Sequence, residues 1–280
     1  MRGLDEFSVM TGNRRTVELL LWAAAFIAIT GVNVMGQGFG PGGPPQSPKA
    51  GAPSDLTGYW VSVVVEDWRY RMLPPTKVKP PAPGIFGGGI GVPVNPPGLK
   101  VALAWDPDKD EAAGEQCKSY GAPNLMRVPG RLHITWQDDQ TLKIETDAGM
   151  QTRLFHFGPT QDGGGDWQGV SHADWEALEG LQVPGLGRLS GIGSEKTGSL
   201  KVVTTKLKPG YLRKNGIPYS AKAVLTEYYD VITEPDGATY LLITSTVEDP
   251  VYLMAPYQTT THFRKQSDGS GWSPSRCTSR

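Results

Sequence analysis

The sequence predicts an all-β fold, an antiparallel barrel or sandwich, and three observations carry that expectation. Short segments rich in β-branched and aromatic residues recur along the chain, tight polar turns join several of them as hairpins, and helix signals are few. Apolar residues form 38% of the 280, enough to build a core. The 27 basic and 28 acidic side chains leave a formal net charge of −1. That balance lacks the electrostatic footprint of a nucleic-acid binder, and no basic cluster restores it.

The first 36 residues have the pattern of an export signal. Arg14 and Arg15 precede an unbroken apolar run over 19–29, and small or polar residues follow up to Gly36. The run is shorter than the roughly 20 residues a bilayer span needs. Residues 1–36 are therefore expected to be a signal peptide, leaving no stable membrane insertion after cleavage and a periplasmic or secreted product. Residues 37–54, rich in Gly and Pro, read as a disordered tether. One domain is expected over 55–280. An even pair of cysteines in an oxidising compartment favours a Cys117–Cys277 disulfide.

The elements follow in order. Residues 59–68 open the first strand with Trp60, Val61, Val63, Val64 and Val65. Residues 74–98 form a second Gly/Pro-rich stretch that carries Ile85, Phe86, Ile90, Val92 and Val94, and reads as a lid-like loop. Helix signals concentrate in 99–117, where Asp106 before Pro107 is a cap followed by a first-turn proline. Strands over 131–137, 141–147 and 151–157 make a meander. A short helix is expected at 174–178 from Ser171 and Asp174 in an S-x-x-D cap. Strands over 200–207, 223–232, 239–247 and 257–265 complete eight, with a Glu234-Pro-Asp-Gly237 turn between two of them.

Gly58-Tyr59-Trp60, opening the first strand, resembles the G-x-W signature of lipocalins and their calycin relatives. That resemblance implies a lipocalin-like β-barrel with one or two short helices and long Gly/Pro-rich loops, and an arginine of the last strand, Arg264, lying over Trp60. Residues 55–73, 110–140, 210–231 and 247–258 also resemble a family of secreted bacterial proteins with no assigned activity. This second resemblance implies export and fold; it supplies no mechanism.

Candidate chemistry rests on few residues. Three of the four histidines, His133, His156 and His262, fall in expected strands, but no H-x-H, H-x-x-x-H or C-x-x-C spacing occurs, so neither metal nor cofactor is expected. Glu227, beside Tyr228 and Tyr229, and Asp249 are the carboxylates considered for proton transfer, with His133 and His156 as partners. Gly169-Val-Ser171 lacks the α/β context of a nucleophile elbow. Aromatic linings suit pockets that hold an apolar molecule. Trp68, Tyr70 and Trp105 flank the long loop and are expected at a pocket rim, with Glu227 and Tyr229 as further ligand contacts. The leading expectation is an exported lipocalin-like protein binding a small, largely apolar molecule inside a β-barrel. A cofactor-free lyase, isomerase or hydratase, and an envelope interaction protein with a filled barrel, are the alternatives.

Overall fold

A computed structural model describes residues 46–63, 91–159, 163–177, 182–183, 187–188 and 198–279. The expected signal peptide, Trp68, Tyr70 and most of the lid-like loop lie outside the described residues. The strands are β1 (Gly58–Ser62), β2 (Arg131–Asp138), β3 (Thr141–Thr146), β4 (Thr152–His156), β5 (Val170–Ala177), β6 (Gln182–Val183), β7 (Gly187–Arg188), β8 (Gly198–Thr205), β9 (Gly210–Tyr211), β10 (Pro218–Tyr219), β11 (Val224–Thr233), β12 (Thr239–Glu248) and β13 (Tyr257–Gln266). Nine of them close a barrel in the order β1-β13-β12-β11-β8-β5-β4-β3-β2. β2 pairs back onto β1 through Trp60↔Leu132, so the barrel leaves no free edge between its first and last members.

The all-β barrel is therefore as expected, with two corrections. β5 is a strand where a short helix was expected at 174–178. Its pairing with β8 runs over eight residues from Val170↔Thr205 to Ala177↔Gly198, and this ladder outweighs a local cap signal at Ser171. The barrel is also not wholly antiparallel: β4 and β5 run parallel through Phe155↔Ser171 and His156↔His172. A parallel neighbour requires a longer crossover than a hairpin, and 157–169 provides it.

Three short helices are described, α1 (Pro96–Leu103), α2 (Pro107–Ala112) and α3 (Ala122–Leu125), with a 3-10 turn at Gln116–Tyr120. Asp106 caps α2 as expected, its side chain accepting from the Asp108 amide with Pro107 in the first turn. α1 begins inside the stretch read as loop, because Asn95 caps it from Gly98 N at 2.9 Å and two prolines fill the first turn, where no amide is needed.

Core packing divides into two clusters. Inside the barrel, Trp60, Ile134, Leu142, Ile144, Phe155, Leu200, Val202, Tyr229, Leu241, Ile243 and Phe263 pack together, joined by Tyr120, Leu125 and Met126. A second cluster, including Val92, Val94, Leu212, Tyr219, Leu225 and Tyr257, ties α1 and the β9–β10 hairpin to the ends of β11 and β13. Trp60 donates from Nε1 to the Leu56 carbonyl at 3.0 Å. Lys265, its register partner, holds Nζ 4.8 Å from its ring centroid, whereas Arg264 is exposed, so the lysine takes the place expected for the arginine.

The disulfide expected from cysteine count joins Cys117 to Cys277 with Cα atoms 5.1 Å apart. It binds the segment after β13 to the 3-10 turn. Residues 46–54, within the stretch read as a tether, form a turn in which Gly51 N donates to Ser47 O at 2.8 Å.

Candidate functional site

Strand alternation decides which polar residues reach the barrel interior. On β11, Leu225, Glu227 and Tyr229 are fully buried while Thr226, Tyr228 and Asp230 are not. The same period turns Arg153 of β4, Ser171 of β5 and Thr204 of β8 inward. These side chains meet. Arg153 grips Glu227 in two-pronged fashion, Nη1 to Oε1 at 3.0 Å and Nη2 to Oε2 at 2.6 Å. Nη2 also donates to Thr204 Oγ1 at 3.1 Å, which lies 2.8 Å from Ser171 Oγ. Nη1 reaches the Tyr229 hydroxyl at 3.4 Å.

The cluster is sealed. Glu227, Tyr229 and Thr204 are 0% exposed and Arg153 1%. Phe155 covers it, edge-on to Tyr229 with centroids 5.4 Å apart and with the Arg153 guanidinium 4.8 Å from its own ring. Arg153 Nε, also buried, has no hydrogen-bond partner among the described residues. Burial opposes the Arg153 charge, and the Glu227 carboxylate more than restores it, so the guanidinium stays protonated. Burial first, and then the Glu227 charge, push the Tyr229 hydroxyl well above the ordinary tyrosine value.

Tyr211 and Tyr219 are likewise pushed up, by burial foremost, with Asp110 adding to the first and Asp166 to the second. The unfolded chain loses these protons near pH 10 while the folded chain keeps them. The native state then binds more protons, and stability falls as pH rises above about 10, by up to roughly 1.4 kcal/mol per pH unit for each tyrosine. Burial also raises Tyr120, but its bonds with Thr278 and Lys214 and the Lys214 charge outweigh that and lower it, offsetting part of the loss. Thermal melts between pH 8 and 11.5 should show the decline, and Tyr229→Phe should lessen its slope by about one tyrosine's share; a slope unchanged by that substitution would contradict the assignment.

At the barrel end where β4 finishes, the interior face becomes aromatic and only partly buried. Trp136 of β2, Phe157 after β4 and Trp175 of β5 are half-buried and pack on the interior cluster. Their rings form one row, with centroid separations of 5.6 Å for Trp136–Phe157 and 5.5 Å for Phe157–Trp175. Val231 of β11 packs against the same cluster. Trp175 Nε1 donates to the Pro48 carbonyl at 2.9 Å, so the row is bordered by the turn at 47–51.

No family model, curated protein or solved structure matches the chain.

The candidates read from sequence are dispersed. Glu227 and Tyr229 meet in the sealed cluster. His133 lies on the outer face, stacked on Tyr59 with centroids 4.1 Å apart and planes 3° from parallel, edge-on to Trp272, and 3.5 Å from a Glu145 carboxylate oxygen. His156 also faces outward, in register with His172, which pairs with Asp174 at 3.2 Å. Asp249 is a buried turn carboxylate, accepting from Ser220 N at 2.6 Å, Ser220 Oγ at 2.8 Å and Val251 N at 2.9 Å. Trp105 does not join the aromatic row. Its Nε1 donates to Asp110 at 3.1 Å, and its ring covers Gly216, where φ is +84° and a Cβ would come within 2.2 Å of it. Among the described residues, no three His, Cys, Asp or Glu side chains are placed to hold a metal.

Sequence reading missed Arg153, Thr204 and the inward-facing role of Ser171. The available signal was parity: Arg153 shares the face of Phe155 and Phe157, so a strand over 151–157 buries all three or none. It also missed three buried cations at the opposite end, Arg127, Arg213 and Lys214. Arg127 Nη1 donates to Leu212 O at 2.9 Å, Arg213 Nη2 reaches the Tyr257 hydroxyl at 3.3 Å, and Lys214 Nζ donates to Thr278 Oγ1 at 2.7 Å. In sequence, Arg213-Lys214-Asn215-Gly216 has the look of an exposed turn.

Proposed function

We propose that the protein is an exported β-barrel, periplasmic or secreted, that binds a small, largely apolar molecule at the barrel mouth. The observation that carries this reading is the half-buried row of Trp136, Phe157 and Trp175 on the interior face. Contiguous aromatic surface at the entrance of a closed barrel is where an apolar molecule gains most by leaving water. Beneath it, Phe155, Tyr229 and the Arg153–Glu227 pair form a floor that is closed to solvent, so contact with Glu227 and Tyr229 is indirect. The disulfide and the apolar run near the start of the chain support export.

Catalysis finds less support. Glu227 is ion-paired and sealed, Asp249 is occupied by turn donors, and His133 and His156 face away from both.

Two measurements test the binding reading: native mass spectrometry of protein purified from the source cells, and titration with the fluorescent probe anilinonaphthalene sulfonate. A retained organic mass is expected, and Trp136→Ala and Phe157→Ala should each weaken the probe by roughly tenfold, about 1.4 kcal/mol, with the fold intact by circular dichroism. A clean apo mass together with no probe binding by the wild type would overturn it.

A second reading, an envelope interaction surface, is favoured by a mainly apolar hollow of about 340 Å³ on the outer wall, lined by Val63, Ile232, Glu234, Tyr240, Leu242 and His262. Val63 and Ile232 are 40% and 43% exposed there. Ile232→Asp would disable that surface and leave probe binding at the mouth unchanged.

A further inference from the structure

The segment beside the aromatic row is attached in an unusual way. Residues 46–54 read Gln-Ser-Pro-Lys-Ala-Gly-Ala-Pro-Ser and contain no large apolar side chain, so burial of apolar surface does little to hold them down. The turn over 47–51 is instead closed on itself, by Gly51 N to Ser47 O at 2.8 Å and Ala50 N to Ser47 Oγ at 3.2 Å. Its attachments to the barrel are polar. Trp175 Nε1 donates to Pro48 O at 2.9 Å; Lys49 N donates to Asp139 O at 3.4 Å; and Lys49 Nζ stands 3.7 Å from Asp139 Oδ1. The ion pair is exposed on both sides, which makes it a weak contact.

A few residues on, the chain is firmly fixed. Leu56 is buried in the interior cluster and its carbonyl accepts from Trp60 Nε1. Asp55 Oδ1 accepts from Thr57 N at 2.9 Å and Thr57 Oγ1 at 2.7 Å. A pre-formed turn therefore hangs from a rigid anchor at 55–57 and, among the described residues, is fastened at two points: the tip of the β2–β3 turn and one of the three mouth aromatics.

We infer that the turn over 47–51 is a latch on the barrel mouth, pivoting about 55–57, that lifts to admit an apolar molecule to the Trp136–Phe157–Trp175 row. The inference rests on the binding reading above. Trp175 couples the two events, because its indole N–H holds the latch and its ring is part of the platform. Lifting the turn frees the Trp175 N–H and leaves the ring at the entrance. The described latch bonds are few and at most part-buried, whereas Leu56 at the anchor is buried in the interior cluster, so opening at 47–51 precedes any loss of barrel structure.

The test joins the latch to the barrel. Lys49→Cys with Asp139→Cys places two thiols on residues already linked by a backbone hydrogen bond, and oxidation locks the turn down. With anilinonaphthalene sulfonate as probe, stopped-flow association should slow at least tenfold in the oxidised variant and recover on mild reduction. Wild type under the same reductant is the control for the native disulfide. Lys49→Glu, which sets like charges together, should speed association by about twofold to fivefold. An oxidised variant that takes up probe at the wild-type rate overturns the latch and leaves the binding reading standing. A wild-type protein that does not take up the probe removes the binding reading, and the latch with it.

Discussion

Glu227→Ala is expected to destabilise the fold by about 3–5 kcal/mol, the range for removing one partner of a buried ion pair. For a domain of this size that corresponds to a fall in Tm of roughly 6–20 °C. The cost arises less from the lost attraction than from what remains. Arg153, 1% exposed, would keep a charge in an apolar interior with only the Thr204 and Tyr229 hydroxyls as described partners, and its Nε has none even now. Replacing both partners should behave differently. Arg153→Met with Glu227→Leu removes the charge and its counter-charge together, and is expected to lie near wild type, because an apolar pair of similar volume avoids the desolvation that the ions incur. Urea midpoints of the two variants, read at constant m-value, check this. A Glu227→Ala midpoint close to wild type would mean that the pair is not an isolated charge pair in the folded protein.

The second large effect belongs to the Cys117–Cys277 bond. Cys277→Ala, or reduction, is expected to cost about 2–5 kcal/mol, the range seen for native disulfides, and the chain-entropy model places a loop of sequence separation 160 near the top of it. The structure indicates where the loss is felt first. After β13 the chain returns across the barrel end through Ser275 N to Asp147 O at 2.9 Å, Gly149 N to Ser275 O at 2.9 Å, and Lys214 Nζ to Thr278 Oγ1. Trp272 meanwhile packs edge-on against Tyr59 and His133. Without the covalent tie these contacts close a long loop by themselves, so amides over 267–279 should exchange with solvent before those of β11 and β12. A reduced protein melting within 2 °C of the oxidised form (roughly 0.5–1 kcal/mol) would show that the tail contacts are sufficient alone.

Most elements were legible because their signals are local. Alternation of apolar and polar residues located β2, β3, β11, β12 and β13 to within a residue or two, and Asp106-Pro107 located the start of α2. The turn before β12 followed from Glu234-Pro-Asp-Gly237, where Gly237 N donates to Glu234 O at 2.9 Å. At β5 the local and distant signals disagreed. Ser171 and Asp174 spell a cap, yet eight residues of ladder to β8 were available, and Ser171 spends its hydroxyl on Thr204 across that ladder. The aromatic row was not legible, because nothing local shows that Phe157 would lie between the rings of Trp136 and Trp175, which come from strands far apart in sequence.

By itself the sequence determined the fold class, the positions of most strands, the α2 cap and the pairing of the only two cysteines. Each depends on propensity, periodicity or composition, which act within a few residues or over the whole chain without regard to partners. Tertiary structure alone decided which face of each strand looks inward, the parallel β4–β5 pairing and the meeting of Arg153 with Glu227 from strands 74 residues apart in sequence. It also separated the histidines from the carboxylates and brought the turn over 47–51 onto Trp175. A strand's two faces are equivalent until a neighbour buries one of them, and barrel closure, a non-local event, makes that choice for all nine strands together.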